Sequence, residues 1–325
     1  MTVNLTIVGL HQIGASIGMA LEIHKDKLSR TGIDADPTLG PNLLKKKAID
    51  HIAHNLQSSV EDADIVILAL PADQVEETLK QIAESLKPGA VVIDTSPNRQ
   101  KAIEWAKAVL PEARHFVSMT PVINPTYLDV PKEIASEPHS DLFKEGAMVI
   151  TSATDTHSDA IKLAGDLARL LETHAYFSEP VEADSVDASV NLLPKLVAVA
   201  LVNTTTSQPG WRDSERLAGM AYLKATFAAE LLDEKTELGK TALMNNEHTA
   251  RLLNEMIANL EELSDAIQAQ DAATLQTLLE TARARREVWL SHRLNVDWGN
   301  YPKATTLTAA ENIAGLFGGR PKKKK

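Results

Sequence analysis

Residues 4–18 read NLTIVGLHQIGASIG. Asn4 to Val8 is a short apolar strand, the chain turns at Gly9, and Ile13 to Ile23 carries helical spacing. A strand, a glycine turn and a helix in this order open a doubly wound α/β domain. Set against G-x-G-x-x-G, the three glycine positions are Gly9, His11 and Gly14. Gly9 permits the tight turn and Gly14 lets helix and strand pack closely. The helix N-terminus then offers unpaired N–H groups to a pyrophosphate. His11 stands where backbone normally approaches the phosphates. Two readings are open for it, a contact to the pyrophosphate or an obstruction.

Working outward, a second strand, Thr31 to Asp34, ends 20 residues after Gly14. A carboxylate at that place accepts bonds from the adenosine ribose hydroxyls and repels a 2′-phosphate, which predicts NAD rather than NADP. Asp36 reads as a solvated loop residue. Ala63 to Leu70 (ADIVILAL) is almost continuously apolar, as expected of a strand covered on both faces. Pro71 lies at its carboxyl end, where ligands of such sheets bind. Val75, Leu79, Ile82 and Leu86 form one helical stripe that stops at Pro88-Gly89. Ala90 to Asp94, Phe116 to Met119, Met148 to Thr151 and Ala175 to Phe177 are further strands, with helices over Lys101 to Leu110 and Ala160 to Leu171. Past Pro180 only helical periodicity is found. Leu253, Met256, Ile257, Leu260, Leu263 and Ile267 make one long stripe.

The expected organisation is a Rossmann-type sheet domain over 1–179, an all-helical domain over 180–293, and an extension over 294–325 with a basic disordered tail. The long apolar helices exceed what one small bundle needs and suggest a homodimer. With 325 residues, two domains are expected. The chain holds 33 Lys and Arg against 44 Asp and Glu, a net charge of −11, and the last eight residues, GGRPKKKK, supply five of the positive charges. An acidic body argues against nucleic acid as the ligand. The apolar runs Ala63 to Pro71 and Leu192 to Val202 fall short of the ~20 residues a membrane helix needs. The opening MTVNLTIVGL has no basic n-region, so no signal peptide is expected. The absence of cysteine excludes thiol catalysis and fits a reducing cytoplasm. No metal spacing occurs among the ten histidines. His51 and His54 read as surface residues.

Several segments together resemble the prephenate/arogenate dehydrogenase family over roughly residues 4 to 290. They are IVGLHQIGASIG, GIDADP around Asp34, EDADIVILALP, KPGAVVIDTSPNRQKAI, MTP at 119–121, EADSVDASVNLLPKLVAVAL, and GWRDSERLAG over 210–219. The last is the most specific. It is similar to the family's G-F-R-D-x-T-R-I-A segment and puts Arg216 on the arginine that holds a substrate carboxylate. The resemblance implies an NAD-dependent oxidoreductase of tyrosine biosynthesis with a small-molecule carboxylate substrate. In the family's reaction, hydride leaves the ring carbon bearing the hydroxyl, carbon dioxide is lost, and the ring becomes aromatic. It also implies dimerisation through the helical half.

The chain departs from the family at its chemistry. The catalytic histidine of the family's H-P pair is Thr120, before Pro121. Threonine donates or accepts a hydrogen bond but is no base near neutrality, and losing such a base costs about 10²–10⁴-fold in rate. In D-x-G-S-x-K the serine is Pro97, with Ser96 one place early. In S-H-L-P-H the segment is Asn191-Leu192-Leu193-Pro194-Lys195, and the histidine before Asp184 is Ala183. The expected site therefore has Ser96 and Thr120 flanking the reacting hydroxyl. Arg216, Lys195 and Arg99 are the candidate anion contacts; Gly9, His11, Gly14, Asp34 and Pro71 are the cofactor contacts. Arg212 and Arg216 are four apart, as on one helix face. Trp211 reads as packing, and His139 as a histidine near enough in sequence to substitute as base. His115 begins the strand leading to Thr120, at its far end. Two other classes stay open: a non-catalytic NAD-binding protein, and a diverged member acting on a different carboxylate. A β-hydroxyacid dehydrogenase is not met, because Val199 stands where its asparagine would follow Lys195.

Overall fold

The computed structural model describes residues 2–131, 134, 136–230 and 237–297. The chain forms two compact units, one of residues 2–183 with 291–297 and the other Asp184–Leu290. Most of the extension expected from residue 294, including the basic tail, lies outside the described residues.

The first unit is an eight-stranded sheet in the order β3-β2-β1-β4-β5-β6-β7-β8. Its strands are β1 Val3–Val8, β2 Leu28–Ile33, β3 His51–Ile52, β4 Ile65–Leu68, β5 Val91–Asp94, β6 His115–Val122, β7 Ala147–Thr151 and β8 His174–Phe177. Every pair is parallel except β6 with β7. The strand order reverses between β1 and β4, which makes the carboxyl ends of those two strands the binding crevice of a doubly wound sheet. Helices α1 Gln12–Ala20, α2 Leu39–Lys45, α3 Leu56–Val60, α4 Ala72–Ile82, α5 Arg99–Val109 and α6 Ser158–Leu170 cover both faces. Alternation divides the core: Leu5, Ile7, Ile65, Ile67 and Ile93 face α1 and α6, whereas Val66, Leu68 and Val92 face α4 and α5. All four residues of β4 are buried, which is why its sequence shows no polar alternation. Strand β3 escapes sequence reading because two residues carry no periodicity; its His51, like His54, is exposed. The start of β2, Leu28 to Arg30, escapes the sequence reading for a different reason.

That reason is Arg30. Its side chain is fully buried in the middle of β2. Nε donates to Asp50 Oδ2 at 2.9 Å. Nη1 donates to the carbonyls of Gly18 at 2.7 Å and Lys47 at 3.0 Å. Nη2 donates to Glu22 Oε2 at 2.6 Å and Asp50 Oδ1 at 2.7 Å. All five guanidinium donors are thus matched. Burial acts to raise the Glu22 and Asp50 carboxyls, but the hydrogen bonds and charge of Arg30 outweigh it and hold both below their ordinary values of 4.5 and 3.8.

The second unit is helical. The first turn of α7 Pro180–Asp187 still belongs to the sheet unit, where the Ala183 carbonyl accepts from Arg99 Nη1 at 3.3 Å. A π-helical turn, Ala188–Leu192, leads into α8 Leu193–Thr206. Pro194 has no N–H to bond back along the helix, and the widened turn before it lets the helix pass the proline instead of breaking. The helix therefore runs on through Pro194 and Lys195 and is longer than the apolar run Leu192 to Val202 read from the sequence. Pro180–Thr206, 27 residues, is long and apolar enough to cross a membrane by length and composition. Then follow α9 Trp211–Ser214, α10 Met220–Glu230, α11 Glu237–Met244, α12 Asn246–Gln268 and α13 Ala272–Leu294. Among the described residues of this unit the buried apolar side chains are only Leu192, Ala188, Ala198 and Ala266. Half of the stripe on α12 is uncovered, with Ile257, Leu260 and Ile267 at 52%, 56% and 60% exposure.

Removing Arg30 takes the guanidinium away from Glu22, which keeps Lys25 at 3.2 Å, and from Asp50, which keeps only the backbone N–H of residue 30 at 2.9 Å. Arg30→Ala is expected to lower the unfolding free energy by about 3–5 kcal/mol in a urea titration at neutral pH. The two carboxyls have depressed values in the fold, so their contribution is complete above about pH 4.5 and is lost as pH falls through the folded values. The variant should show a shallower acid slope than the native chain; identical slopes would remove this network from the account.

Candidate active site

The glycine turn is fixed by steric exclusion. Gly9 has φ +93°, and a Cβ there would lie 2.3 Å from the Ala69 carbonyl oxygen. A Cβ on Gly14 would lie 2.0 Å from the Gly9 carbonyl oxygen. Both glycines are thus required for α1 to start directly above the carboxyl end of β1. Gly18 approaches the Ala48 carbonyl in the same way, a contact the fingerprint does not include. His11 is the N-cap of α1, with extended backbone, an exposed side chain and no capping bond of its own. Its carbonyl takes the first helical bond, from Ala15 N at 2.9 Å. The N–H groups of Gln12, Ile13 and Gly14 thus precede the helical ladder and point out of the helix start.

Asp34 follows β2 directly. Its Oδ2 accepts from Leu10 N at 2.6 Å and its Oδ1 from Asp36 N at 2.8 Å. The carboxylate is therefore anchored beside the turn, and two backbone donors leave it further acceptor sites for a ribose. Asp36 is exposed and accepts from Thr38 N and Oγ1. Pro71 caps α4 at the end of β4, across the crevice from Gly9. The residues fit an NAD molecule: the close approach that a Cβ would fill, the open helix start, and the anchored acid.

Further along the carboxyl edge, Thr120 lies on β6, half-buried and in register with Val149. Its Oγ1 donates to the Ser96 carbonyl at 2.9 Å. With the hydrogen committed, the remaining lone pairs accept. Ser96 is 3% exposed, and its own hydroxyl donates to the buried Asp94 at 2.7 Å, with its N–H on the same carboxylate at 3.1 Å. Structure brings Ser96 and Thr120 together, but through the serine's carbonyl. Ser96 therefore holds Thr120 in place and is not turned toward a substrate. Arg99 is likewise only 3% exposed and donates to the Pro97 carbonyl at 2.9 Å as well as to Ala183. A guanidinium so enclosed links backbone segments; it does not offer the open anion contact expected of it.

In the helical unit, Lys195 is half-buried on α8 and makes no hydrogen bond or ion pair among the described residues. Asn191, in the π turn, donates to Asp187 Oδ1 at 2.7 Å. Arg216 is exposed, with Nε on the Asp213 carbonyl at 3.1 Å. Arg212 and Arg216 do not share one regular helix. The four-residue α9 gives way to a 3₁₀ turn at Glu215–Leu217. Trp211 packs on Tyr222 with ring centroids 5.6 Å apart.

Two histidines near β6 in sequence have other partners. His139 stacks on Tyr127 at 4.7 Å, and its N–H donates to Ser16 Oγ on α1 at 3.0 Å. Burial and the bond to Asp141 push the Tyr127 phenol up to about 12. Sequence reading missed the Ser16 link, because nothing local joins residues 123 apart. His115 opens β6 at the opposite end, tilted 5.6 Å from His157, beside a 160 Å³ cavity lined by Lys107, Arg114 and Phe116. Among the described residues no group of three side chains could hold a metal ion.

Comparisons with known proteins agree with this geometry. The family described as prephenate dehydrogenase, nucleotide-binding domain, matches residues 17–177, and prephenate dehydrogenase, dimerization domain, matches 179–281. Prephenate dehydrogenase of Bacillus subtilis is 24% identical over 95% of this chain and 86% of its own length. Cyclohexadienyl dehydrogenase of Zymomonas mobilis is 22% identical over 89% and 97%. The crystal structure of prephenate dehydrogenase from Aquifex aeolicus, in complex with hydroxyphenyl propionate and NAD+, superposes with a TM-score of 0.78 at 21% identity, covering 89% of this chain and 99% of that one. Arogenate dehydrogenase of Synechocystis gives 0.72 at 19% identity, over 88% and 100%. Sheet topology, glycine turn and the two consecutive matches lead to one conclusion: the chain belongs to the prephenate dehydrogenase family, the NAD-dependent dehydrogenases of tyrosine biosynthesis.

Proposed function

We propose that this chain catalyses the oxidative decarboxylation of prephenate or arogenate in the cytoplasm, as a homodimer formed through its helical unit. The observation that carries this reading is the position of Thr120 on the same carboxyl edge as the Gly9 turn, with its hydroxyl hydrogen already donated to Ser96. NAD, when bound, accepts the hydride from the carbon bearing the substrate hydroxyl. Gly9 and Gly14 admit its pyrophosphate to the start of α1, His11 and Pro71 border the crevice, and Asp34 takes the ribose. Thr120 accepts the hydrogen bond of the substrate hydroxyl, Ser96 holds Thr120, and Arg216 and Lys195 supply cations for substrate carboxylates. As hydride leaves, the bond to the carboxylate breaks, its electron pair enters the ring, and carbon dioxide departs. The hydroxyl ends as a phenol with its proton. The step therefore needs an acceptor for a hydrogen bond that strengthens in the transition state, and a base improves on that without being consumed.

Support for the homodimer comes from the helical unit, where the four apolar side chains buried among the described residues are too few to hold its helices together. Four departures from the family's polar residues favour one second reading, a different carboxylate substrate on the same frame.

The deciding experiment follows NADH absorbance with prephenate or arogenate, for the native chain and Thr120→His. Native turnover, raised about 10²–10⁴-fold by the histidine, is expected. Silence from both with NAD binding intact would move the proposal to the other substrate or to a non-catalytic role. Asp34→Ser should weaken NAD about tenfold and narrow its preference over NADP; an unchanged NAD affinity would exclude Asp34 from the site. Ile257→Glu combined with Leu260→Glu should shift the sedimentation of the native chain from dimer to monomer, and a dimer surviving both would place the interface on another face.

A further inference from the structure

We propose that His11 is a proton-linked contact to the cofactor's pyrophosphate, so that NAD binds more tightly as the imidazole takes up a proton. The inference rests on the NAD-binding reading above and adds a regulation to that site. Of the three fingerprint positions, two are closed to any side chain: a Cβ would meet backbone at 2.3 Å from Gly9 and at 2.0 Å from Gly14. Position 11 differs. Its side chain is exposed at the very start of α1, fills neither the turn nor the gap under the helix, and makes no capping bond. It thus stands outside the steric lock and beside the N–H groups that a phosphate would meet. Its neighbour Leu10 is pinned by Asp34, so the backbone that carries the imidazole is fixed.

The groups around it are mostly acidic. Asp34 and Asp36 lie on the strand end facing this turn. Thr38 hydrogen bonds, chiefly, hold the Asp36 carboxyl below the usual carboxylate range, with His11 contributing as a nearby charge, so Asp36 stays ionised near neutrality. On the other flank, Gln12 Nε2 donates to the Glu137 carbonyl at 3.3 Å, bringing in the Glu137 carboxylate with its Lys46 partner at 3.4 Å. His139, from the segment between β6 and β7, is a second histidine held against α1, through its N–H on Ser16 Oγ. A pyrophosphate adds two negative charges that do not titrate near neutrality. A histidine gains its proton in that range, and a cation donating to a phosphate makes a stronger bond than a neutral ring does.

The test titrates native protein with NAD, and with ADP-ribose, which keeps the pyrophosphate and lacks the nicotinamide charge, at about pH 6 and about pH 8. Heat of binding is the readout. Native affinity should be about 5- to 10-fold higher at the lower pH for both ligands. His11→Gln should remove the pH effect and keep the high-pH affinity, whereas His139→Gln should keep the effect. A pH-independent native affinity, or an effect that survives in His11→Gln, would overturn the proposal while leaving NAD binding in place. His11→Gly binding more tightly than native at both pH values would mark the ring as an obstruction and also overturn it. If native protein binds neither ligand at either pH, the NAD reading fails and this inference with it.

Discussion

One buried guanidinium governs how the nucleotide end of this sheet is built. Arg30 lies in the middle of β2 with every donor matched, two of them on the carbonyls of Gly18 and Lys47. Gly18 is the residue by which the far half of α1 touches the Ala48 carbonyl, just as Gly14 brings the near half onto Gly9. Arg30 therefore fixes α1 against β2 from below while the glycines fix it against β1 from above. A helix so clamped cannot slide along its axis, and the position of its N-terminus is set by contacts a full helix length away. A buried ion network is costly to form and worth little as net stability, but it is strongly selective against misplaced partners. Here the misplaced alternative is a helix start that no longer meets the crevice.

At the other side of the crevice the geometry descends by one hydrogen bond at a time. Asp94, fully buried at the end of β5, holds the hydroxyl and N–H of Ser96; the Ser96 carbonyl holds Thr120. On the proposed reading Thr120 stands where the family resemblance puts a histidine, and a threonine there accepts a hydrogen bond without storing a proton. The same resemblance puts a serine at Pro97, while Ser96 turns its hydroxyl inward to Asp94.

The legible parts of the fold were those written in short range. The Gly9 turn, the Asp34 spacing and the apolar run of β4 follow from local sterics, from a fixed count of residues, and from burial on two faces. The strand start at Leu28–Arg30 was not legible, because a charged residue in a buried strand contradicts the hydrophobic pattern and only Glu22, Asp50 and two distant carbonyls explain it. The same holds within the site. Thr120 stood out by its place in the Thr-Pro pair. The inward turn of Ser96 and the enclosure of Arg99 depend on partners that pattern reading does not see. A resemblance transfers positions, and the exposure of each side chain has to come from packing.

The helical unit raises a separate constraint. Its exposed apolar residues share their helices with charged side chains paired along the surface, Arg251 with Glu255 on α12 and Arg283 with Glu287 on α13. The apolar stretch Pro180–Thr206 contains Asp184 and Asp187, both nearly fully buried, and Lys195. Hydrocarbon would leave Lys195 without a partner at a cost of several kcal/mol, whereas a protein surface can meet an apolar stripe and leave its charged flanks wet. Length and composition alone make the helix look fit for a bilayer. The charges along it and on its neighbours make a second protein surface the better cover. On the proposed dimer, the one leucine and three alanines buried among the described residues of this unit would be the inner part of a core completed by a second copy.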